Sequence, residues 1–228
     1  MEKGVWAAAT HHYAWLWANM HVVDPAYSGV RGSFVAGEMA RLVVAWPPAR
    51  ARFRELRDHA AAMAIGPGAA GWRADWVVLN RVLGEAHRTL AWYDNVRFDS
   101  SYSSILGRMP NALTDALLAQ GRWADVGRLC HDPLRVLAVY RDVAAHMKSR
   151  SGAPAVILDA NASWCRNNVG VLLRCLLAAG READAADVRR DALVWDGSDA
   201  MVAVVDREIH RPACGVSPNP HHPPLRAR

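Results

Sequence analysis

The chain has 228 residues, of which 52% are apolar, and its 27 basic and 22 acidic residues give a formal net charge of +5. This composition is sufficient for a sizeable core and excludes a wholly disordered chain. Basic and acidic residues are interleaved, which argues against nucleic-acid binding because that function needs basic side chains along one stripe. The nearest approach to such a stripe, the arginines within residues 50–57, is diluted by Glu55 and Asp58.

The chain begins with an aromatic-rich segment that predicts a helix over Val5–Val22, ending before Asp24 because Pro25 disfavours helix in the residue ahead of it. Tyr13, Trp15 and Trp17 point to different sides of this helix, so at least one of them should be exposed. Polar residues interrupt the segment, so it resembles neither a signal peptide nor a membrane span. We therefore expect a cytoplasmic protein.

The next segment predicts a loop over Tyr27–Ser33 and a helix over Phe34–Ala45, which Pro47 and Pro48 end. A further helix follows these prolines. Its apolar residues recur at helical spacing on one face, with the arginines pointing away: Phe53, Leu56, Ala60 and Met63.

A glycine-rich segment, Gly66–Gly71, matches the G-x-G-x-x-G pattern of dinucleotide-binding loops. In such proteins the glycines follow a buried strand and let a pyrophosphate approach the start of a helix. Here an amphipathic helix precedes the glycines, so we interpret the segment as an interhelix loop and predict no cofactor.

The remainder of the chain contains one helix–Gly–helix unit that is written twice, as LLAQGRWAD around Gly121 and as LLAAGREAD around Gly180. A weaker copy surrounds Gly84. The longer interval between the second and third glycines predicts an additional helix over Leu134–Met147. Val156–Leu158 is short enough to be an isolated extended segment or the start of a helix, and we favour a loop. Ser198 is interpreted as the N-cap of a last helix that ends near Ile209.

These hairpins resemble tetratricopeptide repeats. In the last copy the apolar positions before the glycine and the small positions after it follow the family pattern: Val169, Leu172, Leu176, Ala185 and Ala192. The middle copy departs from the pattern at Val126 and Pro133. The resemblance implies an all-α chain folded as an irregular right-handed α-solenoid of about ten or eleven helices. The predicted divisions are an N-terminal helical region (1–71), the repeats (72–210) and a disordered, proline-rich tail (211–228).

Residues capable of catalysis or metal binding do not form a recognisable pattern. The cysteines lack zinc-site spacing, and His11, His12 and His21 do not share a helix face as metal ligands would. Cys165 lies beside Arg166 and is the one thiol for which a lowered pKa is considered, with a structural role favoured. We predict no catalytic residues and no metal site.

The sequence therefore predicts a non-enzymatic scaffold that binds a peptide or partner protein on a concave helical surface. The predicted binding residues follow from their places on the hairpins: Arg81, Arg88, Asn111, Asn167, Asn168 and Arg174. An enzyme or small-molecule binder, with a pocket between the N-terminal helices and the repeats that contains His12 or His21, is the alternative. Self-association, or a place as one module of a larger assembly, is also left open.

Overall fold

The computed structural model describes residues 3–24, 27–65, 69–149, 152 and 154–210, and these residues form helices and no strand. The first helices are α1 (Lys3–Val23), α2 (Ser28–Val30), a π-helical turn (Arg31–Val35), α3 (Ala36–Ala45), α4 (Ala49–Met63), α5 (Ala70–Val82) and α6 (Ala86–Val96). They are followed by a 3-10 turn (Ser100–Tyr102), α7 (Ser103–Leu106), α8 (Asn111–Ala119), α9 (Trp123–Leu129), α10 (Pro133–Ser149), α11 (Ala155–Ala178), α12 (Glu182–Trp195) and α13 (Asp199–Ile209). The predicted all-α class is confirmed for this part of the chain.

The chain divides into two compact units, and the division falls between Ala116 and Leu117, within α8. The boundary predicted at residues 71/72 lies inside α5. In the first unit α5 packs against α3, α4 and α6. Five consecutive residues of α5, Trp76–Asn80, are buried, because this helix is covered on several sides.

The second unit is organised around α11, which packs against α9, α10, α12 and α13. Its core contains the apolar positions on which the repeat resemblance was based, together with residues of the neighbouring helices: Leu137, Val169, Leu172, Leu173, Leu176, Ala185, Val188, Ala192, Met201 and Val205. The closest approach of α9 to α11 is at Gly127, where a Cβ atom would lie 2.1 Å from the carbonyl oxygen of Cys175. Glycine is therefore required at this contact.

Gly84, Gly121 and Gly180 each end a helix in the left-handed conformation, with φ of 71°, 68° and 70°. In each case the N–H of the following residue donates to the carbonyl five residues earlier: Glu85 to Asn80 (2.7 Å), Arg122 to Leu117 (2.9 Å) and Arg181 to Leu176 (2.9 Å). This is the Schellman arrangement, which satisfies carbonyls left free at a helix end. The three glycines that were identified as hairpin turns in the sequence thus adopt the same turn.

Two segments interpreted as loops are helical. Tyr27–Ser33 lies mostly in α2 and the π-helical turn, and Gly29 and Gly32 have no positive φ. Val156–Leu158 lies in α11, because Pro154 starts that helix by accepting hydrogen bonds from the N–H groups of Ile157 and Leu158. The predictions of a helix over Leu134–Met147 and of Ser198 as an N-cap are confirmed, and the Ser198 hydroxyl accepts from the N–H of Met201 at 3.3 Å.

Parts of two sequence-based interpretations lie outside the described residues. They are Gly66–Gly68 of the glycine-rich segment and the whole predicted tail, 211–228. The helix expected ahead of the glycine-rich segment is present as α4, so the strand that a dinucleotide-binding loop would follow is not there. No helix in the described part of the chain has the length and apolar character of a membrane span.

Candidate functional site

The predicted binding residues of the first unit differ in how far they are already engaged. Arg81 donates to the carbonyl of Gly32 at 2.8 Å and forms an ion pair with Asp115 at 3.5 Å, so it joins helices of its own unit. Arg88 forms an ion pair with Glu85 at 2.9 Å. Asn111 is exposed at the first position of α8. Among these three residues, only the Asn111 side chain is exposed and makes no hydrogen bond or ion pair with another residue that the structure describes.

The other three predicted residues all lie on α11, in the second unit. The guanidinium of Arg174 stacks over the ring of Trp123, 3.7 Å from its centroid, and the amide of Asn168 donates to the carbonyl of Trp164 at 2.8 Å. Asn167 is exposed. The structure therefore divides the six residues between two units and uses four of them in internal contacts: Arg81, Arg88, Asn168 and Arg174.

One of the arginines of residues 50–57 is buried in the first unit. The prediction that the arginines of α4 point away from the core is wrong for Arg57, which is buried and donates to Glu85 at 2.5 Å, to Asn80 at 3.3 Å and to Asp58 at 2.6 Å. A guanidinium is tolerated there because these acceptors compensate for lost hydration. Burial opposes ionisation of Glu85, but the hydrogen bond and charge of Arg57, with the charges of Arg88 and Arg54, outweigh it and lower the pKa of Glu85.

Several tryptophans pack against arginines in the first unit. The Arg73 guanidinium lies 5.1 Å from the ring centroids of both Trp76 and Trp92, and burial lowers its pKa. Arg31 lies over Trp17 at 4.6 Å and forms an ion pair with Asp75. These contacts are cation–π interactions that stabilise the unit. On α1 Trp17 is buried and Trp15 is 55% exposed, which confirms that the aromatic residues of this helix face different environments.

Histidine and cysteine do not form a metal-binding cluster in the described residues. No group of three or more potential ligands is present among them. His12 is exposed on α1, and the side chain of His21 lies outside the described residues. The suggested lowering of the pKa of Cys165 is wrong: the residue lies in the middle of α11 rather than near its start, and burial raises the pKa of the thiol more than Arg166 lowers it.

The strongest candidate surface is on α10 and α11 of the second unit. From Cys165 onward α11 carries many buried residues, whereas every residue from Ala155 to Trp164 is exposed or half-buried. Apolar side chains nevertheless occur at helical spacing in this uncovered half, where Ile157 is 46% and Trp164 is 49% exposed. Val139 and Val143 are exposed on the neighbouring helix α10.

Helices α10 and α11 pack against each other, and Trp164 takes part in that contact. The ring of Trp164 meets the ring of Tyr140 edge to face, with the centroids 5.8 Å apart, and the thiol of Cys165 lies 3.5 Å from the Tyr140 carbonyl oxygen. Val139 and Val143 flank Tyr140 on α10 at a spacing of four residues, which places them on one helix face. We define the α10–α11 surface as Val139, Val143, Ile157 and Trp164. A cluster of exposed apolar side chains on adjacent helices is typical of a protein interaction site.

This surface was not predicted, because a loop was favoured over a helix for Val156–Leu158. The available signal was the spacing of Ile157, Asn161 and Trp164, which continues the helical period of α11 toward its start. Comparison of the chain with family models, with curated proteins and with solved structures finds no match in any of the three.

Proposed function

We propose that this protein is a helical interaction module, and that the α10–α11 surface binds an amphipathic helix of a partner protein. The observation that carries the proposal is the contrast within α11. Its second half is covered by α9 and α13, whereas its first half carries exposed Ile157 and Trp164. A partner helix would cover the first half as α9 and α13 cover the second.

Burial of the exposed apolar side chains would stabilise the bound state. Full burial of a large apolar side chain contributes about 1.5–3 kcal/mol relative to exposure. Trp164 and Ile157 are each about half exposed, so covering them supplies part of that stabilisation. Tryptophan is also one of the residue types enriched among interface positions whose truncation costs at least about 2 kcal/mol. Trp164 is therefore the residue that we expect to contribute most to binding.

The arrangement of the helical hairpins is part of the same proposal. We take the three helix–Gly–helix turns as units of an irregular α-solenoid that resembles tetratricopeptide repeats. Their common Schellman geometry and the burial of Val169, Leu176 and Ala192 support this interpretation. A scaffold of this kind presents helix faces for binding without supplying catalytic groups.

The proposal is tested by photo-crosslinking in the native cell extract. A photoreactive amino acid replaces Ala160, an exposed residue between Ile157 and Trp164, and in a matched control it replaces Val194, which is 84% exposed on α12. We expect a crosslink from position 160 to an amphipathic helical segment of one partner, and its loss in the Ile157→Asp variant. The Val194→Asp variant should retain the crosslink.

Three results would contradict the proposal. The first is a crosslink of equal yield from position 194, which would indicate nonspecific contact. The second is a partner segment without an amphipathic helix. The third is a crosslink to another copy of this chain, which would make the surface a self-association interface. Circular dichroism of each variant establishes that a lost crosslink does not reflect unfolding.

A further inference from the structure

A second feature of the same unit is a pocket of about 160 Å³ formed by α10, α11 and the segment that joins α12 to α13. Its apolar lining includes Ala144, Leu158, Ala162 and Trp195. This volume is below the roughly 300–1,000 Å³ of sites that enclose a drug-sized ligand. The pocket therefore suits a small chemical group and its immediate substituent.

The polar side of the pocket carries two cations and one anion. Lys148 and Arg166 are the cations, and Asp196 is the anion. Asp196 is oriented by the N–H of Ser198, which donates to its carboxylate at 3.1 Å, and it lies 3.5 Å from a guanidinium nitrogen of Arg166. The resulting formal charge of +1 favours a ligand group with a single negative charge.

Both cations have hydrogen-bonding capacity left for a ligand. The single hydrogen bond of the Arg166 guanidinium to a described residue is the long one to Asp196, although a guanidinium carries five N–H donors. The Lys148 ammonium forms no hydrogen bond or ion pair with any residue that the structure describes. The Asn161 side chain also lines the pocket and adds neutral hydrogen-bonding groups.

The choice of lysine at this position is unusual for this chain. Of the 27 basic residues, only Lys3 and Lys148 are lysines, and all others are arginines. Lysine offers a compact charge with three rotatable donors, whereas arginine offers a rigid planar fork. A pocket that contains one lysine and one arginine can donate hydrogen bonds from two directions to two oxygen atoms of the same ligand group.

We propose that this pocket binds a carboxylate that carries a short apolar substituent. Arg166 and Lys148 donate to the carboxylate oxygens, and the substituent lies against Leu158 and Trp195. A phosphate monoester carries about 1.5–2 negative charges at neutral pH and would leave a net negative charge beside Asp196. The proposal is independent of the α10–α11 surface, because none of its residues belongs to that surface.

The scarcity of lysine supplies a direct probe. Reductive methylation with ¹³C-formaldehyde labels Lys3, Lys148 and the terminal amine, and the variant Lys148→Gln identifies the Lys148 resonance. The labelled full-length protein is titrated with isovalerate, with isovaleramide as the uncharged control and with inorganic phosphate. A blocked peptide, acetyl-Ala-Glu-Ala-amide, tests whether a carboxylate carried by a peptide binds better than a free acid.

We expect isovalerate or the peptide to shift the Lys148 resonance saturably while the Lys3 resonance stays in place. The ligand with the lower dissociation constant, isovalerate or the peptide, shows whether the carboxylate comes from a free acid or from a peptide. The variant Arg166→Gln should weaken binding by about tenfold or more, the range for losing a hydrogen bond to a charged group. Asp196→Asn should strengthen binding instead, because it removes the competing anion, and general damage to the fold would not produce that opposite change.

Any of three results would overturn the proposal. They are an equal shift of the Lys148 resonance with isovaleramide, a lower dissociation constant for phosphate than for both carboxylates, and a Lys148 resonance that no ligand shifts. Circular dichroism confirms that Arg166→Gln and Asp196→Asn are folded. These results leave the crosslinking outcome for the α10–α11 surface unaffected, so the two proposals fail separately.

Discussion

Replacing Gly127 by alanine tests the packing of α9 on α11. A Cβ atom built on Gly127 would lie 2.1 Å from the Cys175 carbonyl oxygen and 2.7 Å from the Cβ of Ala179, both far below ordinary contact distance. The first obstacle is main chain, so the helices must separate by about 1 Å or more, which forfeits a quarter to a half of the dispersion energy at that contact.

The magnitude follows from two opposing effects. Alanine in place of glycine stabilises a helix interior by about 1 kcal/mol. Overpacking costs about 1–3 kcal/mol, and the upper end applies here because main chain cannot rotate away. We therefore expect Gly127→Ala to lower the free energy of unfolding of the second unit by about 2 kcal/mol. For a unit of this size that change corresponds to a fall in Tm of about 10 °C.

The assay is urea and thermal unfolding of the full chain, followed by circular dichroism and calorimetry. Gly37→Ala is the matched control, because Gly37 lies in α3 and a Cβ there would meet nothing within 4 Å. It should stabilise the protein by about 0.5–1 kcal/mol. Gly170→Ala should fall between the two, since its Cβ would lie 2.9 Å from a methyl group of Val204, which can move. Unchanged stability in Gly127→Ala would refute the close approach of α9 and α11.

Three further predictions concern other parts of the fold. The free energy of unfolding should decrease as pH falls below about 4.5, because the pKa of Glu85 is lower in the folded state and protonation removes the stabilisation that the ionised carboxylate provides. In urea unfolding measured as a function of pH, Glu85→Gln should show a shallower decrease. Gly180→Ala should lower the free energy of unfolding by about 1–2 kcal/mol in the same assay, because φ at residue 180 is 70° and a residue with a Cβ atom is destabilised by about that amount in the left-handed conformation. An unchanged free energy of unfolding would contradict the turn geometry. Burial raises the pKa of Cys165, and that of Cys175 to about 12. In a background where Cys130 and Cys214 are both replaced by serine, these two thiols should react with Ellman's reagent at pH 8 only as fast as local unfolding exposes them, and rapid reaction would show that they are accessible.

The sequence predicted the helical class and the three glycine turns because both depend on local chemistry. A glycine after an apolar helical period specifies a Schellman turn almost independently of the rest of the fold, as at Gly121 and Gly180. The cap at Ser198 is similarly local, since its hydroxyl bonds a main-chain N–H three residues later.

The errors came from residues whose environment depends on distant segments. Arg57 was placed on a solvent face because it is charged, and its burial depends on Glu85 and Asn80, more than twenty residues away. Ile157 and Trp164 were not recognised as a surface because a β-branched run after proline is ambiguous between loop and helix. The pocket around Lys148 and Arg166 was not predicted, because it forms only where three helices meet. No short sequence motif encodes the relative positions of those helices.

The most direct test of the proposed function is the dissociation constant of the partner segment recovered by crosslinking, measured by calorimetry against four forms of the protein. Trp164→Ala should weaken binding by about thirtyfold, equivalent to about 2 kcal/mol, and Ile157→Ala by a smaller factor. Val194→Ala should bind like the wild type. Equal affinity of all four forms would contradict the account, because it would show that the partner binds elsewhere than on α10 and the uncovered half of α11.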